Sequence, residues 1–449
     1  MGGTIRLPAD PGAVIVVYLE GSAVMHVAGC RNAFALCLVG WLWAGAVRAD
    51  NWPQWRGPTN NGICKETNLP TEWSATNNIV WQTPLPGMGG STPAIWGEHI
   101  FLTSADGKDL VLVCISTEGG KELWKRPLAT GNRLFMRGEG NSASASPSTD
   151  GKHVYASVST GDFACFDFDG NEIWKFNAQK RYGQFNIMHG FHITPVLDGD
   201  RLYMAYLHSG GHWVVAIDKA TGKDVWKVQR KSDAEGENEH AYASPCIWRD
   251  GKNEYLIVHG NDYTTAHRLS DGEEIWRVTD LNPADRYRYD LRLVASPVAT
   301  AGLIVVPTAK GGAVVGVKPD GHGLIKPGSP SEQWRRPRGT PDVPSPLVVD
   351  DLVYLCGEMG LLTCLDAKTG TEVYTHTFPR DRYRASPVYA DGKVYLTSRG
   401  GTVSVVKAGP KFELLATNKM PDIFTASPAI SDGRIYLRGF KALYAVGPK

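Results

Sequence analysis

The sequence is poor in the features that usually name an activity. Its formal net charge is +1 with 21% charged residues, so no excess of one sign marks a nucleic-acid surface. Its 8 cysteines include no adjacent pair and no Cys-x-x-Cys, which excludes a dense disulfide framework and the common zinc-site spacings. Nucleophile elbow, kinase signature, phosphate-binding loop and dinucleotide fingerprint are all missing. Long helical periodicity is missing too, so a helix bundle is excluded. The apolar run at 33–46 is too short for a comfortable membrane span.

What the chain has instead is turn residues, 50 glycines and 28 prolines, and a repeat. Residues 345–375, SPLVVDDLVYLCGEMGLLTCLDAKTGTEVYT, hold the cleanest copy. Apolar 345–349 opens with Ser-Pro, a place where a strand tolerates a residue without an N–H. Asp350-Asp351 turns the chain, 352–356 returns, and 357–360 turns it again. The run 361–366 ends in Ala-Lys-Thr-Gly370, where Gly370 supplies positive φ, and 372–375 is a fourth strand with Tyr374 at its aromatic position. Four short antiparallel strands make one propeller blade.

Ser-Pro or Thr-Pro starts recur at Pro93, Pro147, Pro195, Pro245, Pro297, Pro346, Pro387 and Pro428. Their spacing of roughly 40–50 residues suits four-stranded blades. Trp124, Trp174, Trp226, Trp276, Trp334 and Tyr374 mark the fourth strands, a regularity expected of packing between blades. The eighth copy stops after its third strand, and an orphan fourth strand with Trp81 precedes the first. The expected fold is therefore all-β: an eight-bladed propeller closed by the strand around Trp81, which removes an open sheet edge. Three stretches follow: a signal region over 1–49, a leader over 50–77 that packs on the propeller, and the propeller itself over 78–449.

Residues 25–49 read as a secretory signal, with Arg31 near its start and Val47 and Ala49 before cleavage at Asp50. Residues 1–24 fit this poorly, which makes Met25 the expected start; cleavage before Cys30 as a lipoprotein is the alternative. The expected location is periplasmic or extracellular, associated with the envelope, as a monomer without a membrane span after cleavage. Cys64, Cys114, Cys165, Cys246, Cys356 and Cys364 then remain, as buried thiols.

Blades are scaffold, so function is expected on the loops ahead of the Ser/Thr-Pro starts. Two of them, DRYRYD at 285–290 and DRYR at 381–384, are rich in Arg and Tyr. Arg286, Arg288, Arg292, Arg382, Tyr383 and Arg384, together with His192, are the candidates for a rim that captures a small acidic ligand or an envelope protein. The bland alternative pairs each Arg with a nearby Asp or with the next blade. His189 and His192 precede Pro195, with His208 and His212 in the same repeat; strand alternation separates such histidines, so hydrogen-bonded loop residues are expected over a metal site. Residues 135–146, FMRGEGNSASAS, read as a flexible entry loop, and 316–330 as a surface excursion.

The phrases AIDKATGKDVW at 216–226 and CLDAKTGTEVY at 364–374 resemble the repeat of pyrroloquinoline-quinone-type propellers. That superfamily includes quinone-dependent alcohol dehydrogenases and the propeller lipoprotein of the outer-membrane barrel-assembly machinery. The leader, WPQWRGP at 52–58 followed by LPTEW at 69–73, looks like that of secreted quinone-type repeat proteins of planctomycete-like bacteria. The resemblance implies the fold over 78–446. In the dehydrogenases it would also imply a vicinal cysteine pair, a calcium site of Glu, Asn and Asp, and a catalytic Asp; no such motif is present. A non-catalytic binding scaffold without cofactor is therefore the expected function. A quinone- and calcium-dependent dehydrogenase is the first alternative, and a carbohydrate-binding or carbohydrate-active propeller the second.

Overall fold

Short β-favouring runs, most of them cut off by a Gly, Asp or Asn that takes positive φ, fold back on their neighbours. In the computed structural model, which describes residues 50–136 and 138–448, they do so eight times. The blades span 94–130, 148–177, 196–229, 246–278, 298–336, 347–377, 388–419 and 429–446. Each is an antiparallel meander, and the last is completed by Ile79–Pro84, which pairs with Ala442–Val446 and sets Trp81 opposite Ala445. The protein is an eight-bladed β-propeller closed by its N-terminal strand.

The fourth-strand tryptophans explain how blades stack. Each faces a small residue on its own third strand: Cys114 opposite Trp124, Cys165 opposite Trp174, Ala216 opposite Trp226, Gly316 opposite Trp334. The ring leans onto the next blade, and its indole N–H donates to a turn carbonyl there. Trp81 reaches Thr117 at 2.9 Å, Trp124 Phe168 at 2.7 Å and Trp174 Lys219 at 2.9 Å; Trp226 reaches Leu269 at 2.9 Å and Trp334 Ala367 at 2.8 Å. Gly222 shows the fit: at φ +67° its missing Cβ would lie 2.7 Å from Trp174. Burying roughly 200 Å² of indole is worth roughly 5 kcal/mol, against roughly 1 kcal/mol for the N–H bond. Packing holds the blades together, and the bond fixes the rotamer.

The stretch at 316–330 is a surface excursion between the third and fourth strands of blade five, as expected, but it does more than loop out. Gly316 belongs to the third strand of blade five, Val314–Val317. Gly323–Ile325, beyond it, pairs in parallel with Glu274–Val278 as a fifth strand of blade four. The excursion thus covers an outer sheet edge. The leader's Trp73 and Leu69 are buried, and Cys64, Cys114, Cys165, Cys246, Cys356 and Cys364 are buried free thiols. Among the described residues no helix is long and apolar enough to cross a membrane. The expected signal at 1–49 and its start and cleavage sites lie outside the described residues, Asp50 excepted.

Candidate functional site

The residue ahead of each blade's first proline faces the channel, and the eight form a ring. Its members are Thr92, Ser146, Thr194, Ser244, Ser296, Ser345, Ser386 and Ser427. The backbone N–H of Thr92 donates to Ser146 Oγ at 2.9 Å, that of Ser146 to Thr194 Oγ1 at 3.2 Å, and that of Thr194 to Ser244 Oγ at 3.0 Å. The pattern runs on through Ser296, Ser345, Ser386 and Ser427, and Thr92 Oγ1 closes the circle by donating to the Ser427 carbonyl at 3.3 Å. A hydroxyl that accepts an N–H keeps its own proton to donate. The ring is both a clasp between blades and a collar of hydrogen-bond donors.

Below the collar the leader closes the channel. Trp52 exchanges backbone bonds with Ile95, the Pro53 carbonyl accepts from Thr149 N–H at 2.8 Å, and Gln54 Oε1 accepts from Leu197 N–H at 2.9 Å. Arg56, 2% exposed, donates to the carbonyls of Pro346 and Pro387 on the far side. Burial lowers its pKa to about 9. All these blade atoms follow the collar residues in sequence, so the leader lies on the first-hairpin side and the entry loops on the other. Above the collar a cavity of about 260 Å³ opens among the entry loops, with Trp55, Phe135 and Tyr242 among its walls.

The loop at 134–141 reaches over this mouth. It forms a small hairpin, Leu134–Met136 with Gly140–Asn141. Glu139 crosses to blade seven's entry loop, where Arg384 meets it at 2.8 Å and Arg382 also pairs with it. Arg399 donates to the Gly138 carbonyl at 2.5 Å. On the other flank Phe135 meets His192 edge-on at 5.3 Å, and a Cβ on Gly190 would come within 2.5 Å of the Phe135 ring. A stretch that reads as flexible is thus tied at both ends. Arg384, with its side chain 10% exposed, also contacts Asp342 at 3.3 Å and Glu358 at 3.1 Å. Burial raises the Glu358 pKa, but Lys310 and Arg384 outweigh it and hold the carboxyl below its ordinary value.

The sequence candidates therefore divide. Arg384 and Arg292 line the cavity, the latter paired with Glu237 at 3.2 Å. Arg382 serves the Glu139 clasp, and Tyr383 is 2% exposed, packed near Phe378 in the core. Arg288 pairs locally with Asp290 at 3.0 Å, while Arg286 is exposed and without an ion pair among the described residues. His189 lines the cavity and contacts Glu237 at 3.2 Å. His192 is held by the His189 carbonyl at 2.8 Å, its Nδ1 is buried without a partner, and burial lowers its pKa to about 4. His208 and His212 do not line the cavity. The collar escaped the sequence reading: the Ser/Thr was counted as a strand start, although its eightfold recurrence was the available signal.

The sequence profile described as outer membrane protein assembly factor BamB matches residues 66–167, 160–325 and 323–409. The chain belongs to this BamB-like family. Solved structures agree on the fold at low identity. BamB from Moraxella catarrhalis is 11% identical with a TM-score of 0.57, covering 82% of this chain and 98% of its own. Quinohemoprotein alcohol dehydrogenase from Comamonas testosteroni is 11% identical with a TM-score of 0.64, covering 89% and 81%. The computationally designed Ika8 protein is 10% identical with a TM-score of 0.61, covering 83% and 100%. No curated protein matches in sequence.

A quinone held by calcium is the cofactor that the resemblance to quinone-dependent dehydrogenases would imply. Calcium takes six to eight oxygens, several from carboxylates. In this BamB-like propeller the cavity's carboxylates, Glu139 and Asp342, are both bound to Arg384. Among the described residues no three His, Cys, Asp or Glu side chains stand close enough to hold a metal ion. The donor set does not fit that cofactor.

Proposed function

We propose that the protein is an envelope-associated, non-catalytic binding propeller. Its channel mouth takes an acceptor-bearing group, a carbonyl or carboxylate oxygen, presented by an envelope protein or a small ligand. The collar carries this reading, because Ser146, Thr194, Ser244, Ser296, Ser345, Ser386 and Ser427 line the cavity and each accept a neighbour's N–H, which leaves a hydroxyl proton to donate. The arginines already have carboxylate partners, so the donors are hydroxyls and the aromatic walls supply contact area. A second reading, a neutral oligosaccharide, is favoured by Trp55, Phe135 and Tyr242 around the same hydroxyls.

Val294 and Val343 line the cavity and are only half-buried, so Val294→Trp and Val343→Trp fill it without disturbing the core. Each should cut crosslinked capture from envelope extract at least tenfold with a nearly unchanged melting temperature. Undiminished capture by both variants would remove the channel mouth as the binding site. Dye-linked alcohol oxidation after adding quinone and calcium would replace the scaffold reading with the dehydrogenase.

A further inference from the structure

A second cavity, of about 340 Å³, lies on the same face but off the axis. Three segments build it: 233–235 between blades three and four, 262–263 at blade four's second hairpin, and 279–289 between blades four and five. In an antiparallel meander these connections emerge where the entry loops do. The Arg-Tyr-Arg-Tyr stretch divides here by alternation. Tyr287 and Tyr289 turn into the cavity, with ring centroids 5.1 Å apart at 73°, and Arg286 and Arg288 stay outside its lining.

Four carboxylates line the cavity: Asp233, Glu235, Asp262 and Asp280. Among the described residues none of them has an ion-pair partner within 4.0 Å. Arg277 lies 4.7 Å from the centre of the Tyr263 ring, but its guanidinium is paired with Glu274. Arg230 donates to the carbonyls of Gly260 and Tyr263. Tyr263 O–H donates to Asp233 at 2.6 Å, and Tyr287 O–H donates to Asp262 Oδ2 at 2.5 Å. A second observation points to a ligand: Asp262 is 6% exposed, lines the cavity, and its buried Oδ1 has no hydrogen-bond partner. Burial raises its pKa to about 6, against the lowering effects of Tyr287, Asn282 and Arg230. Arg230 attracts the carboxylate without reaching ion-pair distance, so burial prevails.

The chemistry of the missing cation follows from the walls. These acids do not converge as a metal's ligands do. They stand around a volume faced by three tyrosine rings, one of them, Tyr289, 59% exposed. Carboxylates spaced around aromatic faces suit an organic cation, which donates hydrogen bonds to the one and stacks on the other. We propose that this cavity is a binding site for an ammonium or guanidinium group, carried by a free amine or by a lysine or arginine side chain of a partner. The site is separate from the channel mouth and stands or falls without it.

The test titrates the purified full chain by calorimetry with 1,5-diaminopentane and with Nα-acetyl-lysine N-methylamide; 1,5-pentanediol and calcium chloride are the controls. At least one amine should bind, and Asp262→Asn, which keeps an acceptor for Tyr287, should weaken it at least tenfold. Tyr289→Ala, an exposed position that does not threaten folding, should weaken it several-fold. Binding of the diamine alone assigns a free amine, and binding of the lysine amide assigns a partner side chain. The proposal fails if neither amine binds, if Asp262→Asn binds as wild type does, or if the diol or calcium binds more tightly than the amines.

Discussion

The two cavities share a face of one propeller and treat charge in opposite ways. At the channel mouth every cation on the wall meets a carboxylate: Arg384 touches Glu139, Asp342 and Glu358, and Arg292 touches Glu237. In the off-axis cavity four carboxylates face tyrosines, and Asp262 keeps an oxygen with no partner. The difference lies in what each loop set has to do for the fold. The mouth must hold down the strap at 134–141, and opposite charges from distant blades do that while cancelling one another. The off-axis loops are pinned by neutral groups. Asn238 and Asn282 both donate to the Arg288 carbonyl, at 2.5 and 3.0 Å, and the acids there hold tyrosine hydroxyls but no cation. Charge cancelled inside the protein marks a clasp; charge left standing marks a place for something else.

The largest effect should come from breaking the clasp. Arg384→Ala leaves Glu139, Asp342 and Glu358 facing one another with much of their compensation gone. Removing one partner of a largely buried network costs about 3–5 kcal/mol. Chemical denaturation should show that loss, and proteolysis should cut near 134–141 sooner. A loss below about 1 kcal/mol would mean the mouth's ion pairs are loose surface contacts.

The next effect has the opposite sign. Asp262 has its pKa raised to about 6 by burial, while its ordinary value is 3.8. Between those values the folded state holds a proton that the unfolded state has lost, so stability falls as pH rises through this window and then levels. Asp262→Asn should therefore match wild type below about pH 4 and exceed it by about 1–3 kcal/mol at pH 7. Melting curves from pH 4 to 8 check this. A variant less stable than wild type at pH 7 would show that Asp262 already has a compensating partner.

The histidines supply a counter-trend. His192, His208 and His267 are lowered to about 4, and His259 to about 3, all chiefly by burial. Here the unfolded state binds the proton first, so stability present above the ordinary histidine value of 6.5 is lost as pH falls toward 4. Wild-type stability should drop over that range, and His259→Gln should flatten part of the drop.

Legibility in the sequence followed the repeat. Blade count, closure by the strand at Trp81 and the role of Trp124 through Trp334 were readable, because turn chemistry and ring positions are local and recur. The excursion at 316–330 was readable, but not its pairing, because Gly323–Ile325 joins another blade and nothing local states a parallel partner. The site was half-readable. Arg292, Arg384, His189 and His192 were chosen from loop composition and do line the mouth. Composition is silent on what lies across a ring, so the partner of Arg384, Glu139 at a separation of 245 residues, stayed hidden. Asp262 escaped for a related reason: it looks like an ordinary Asn-Asp turn residue, and only the fold sets it beside Tyr287.

The smallest effect is the sharpest control on the comparison. Arg288 and Asp290 form an ion pair at 3.0 Å, but their side chains are 60% and 67% exposed, so solvent screens the attraction. Exposed pairs contribute about 0–1 kcal/mol. Arg288→Ala should thus leave stability within about 0.5 kcal/mol of wild type, because the Arg288 carbonyl that Asn238 and Asn282 hold belongs to the backbone and survives the substitution. Amine binding should be unchanged or slightly tighter, since a cation at the rim opposes another cation entering. Weaker amine binding in Arg288→Ala would place the side chain inside the site and collapse the distinction between a rim of arginines and a cavity of acids.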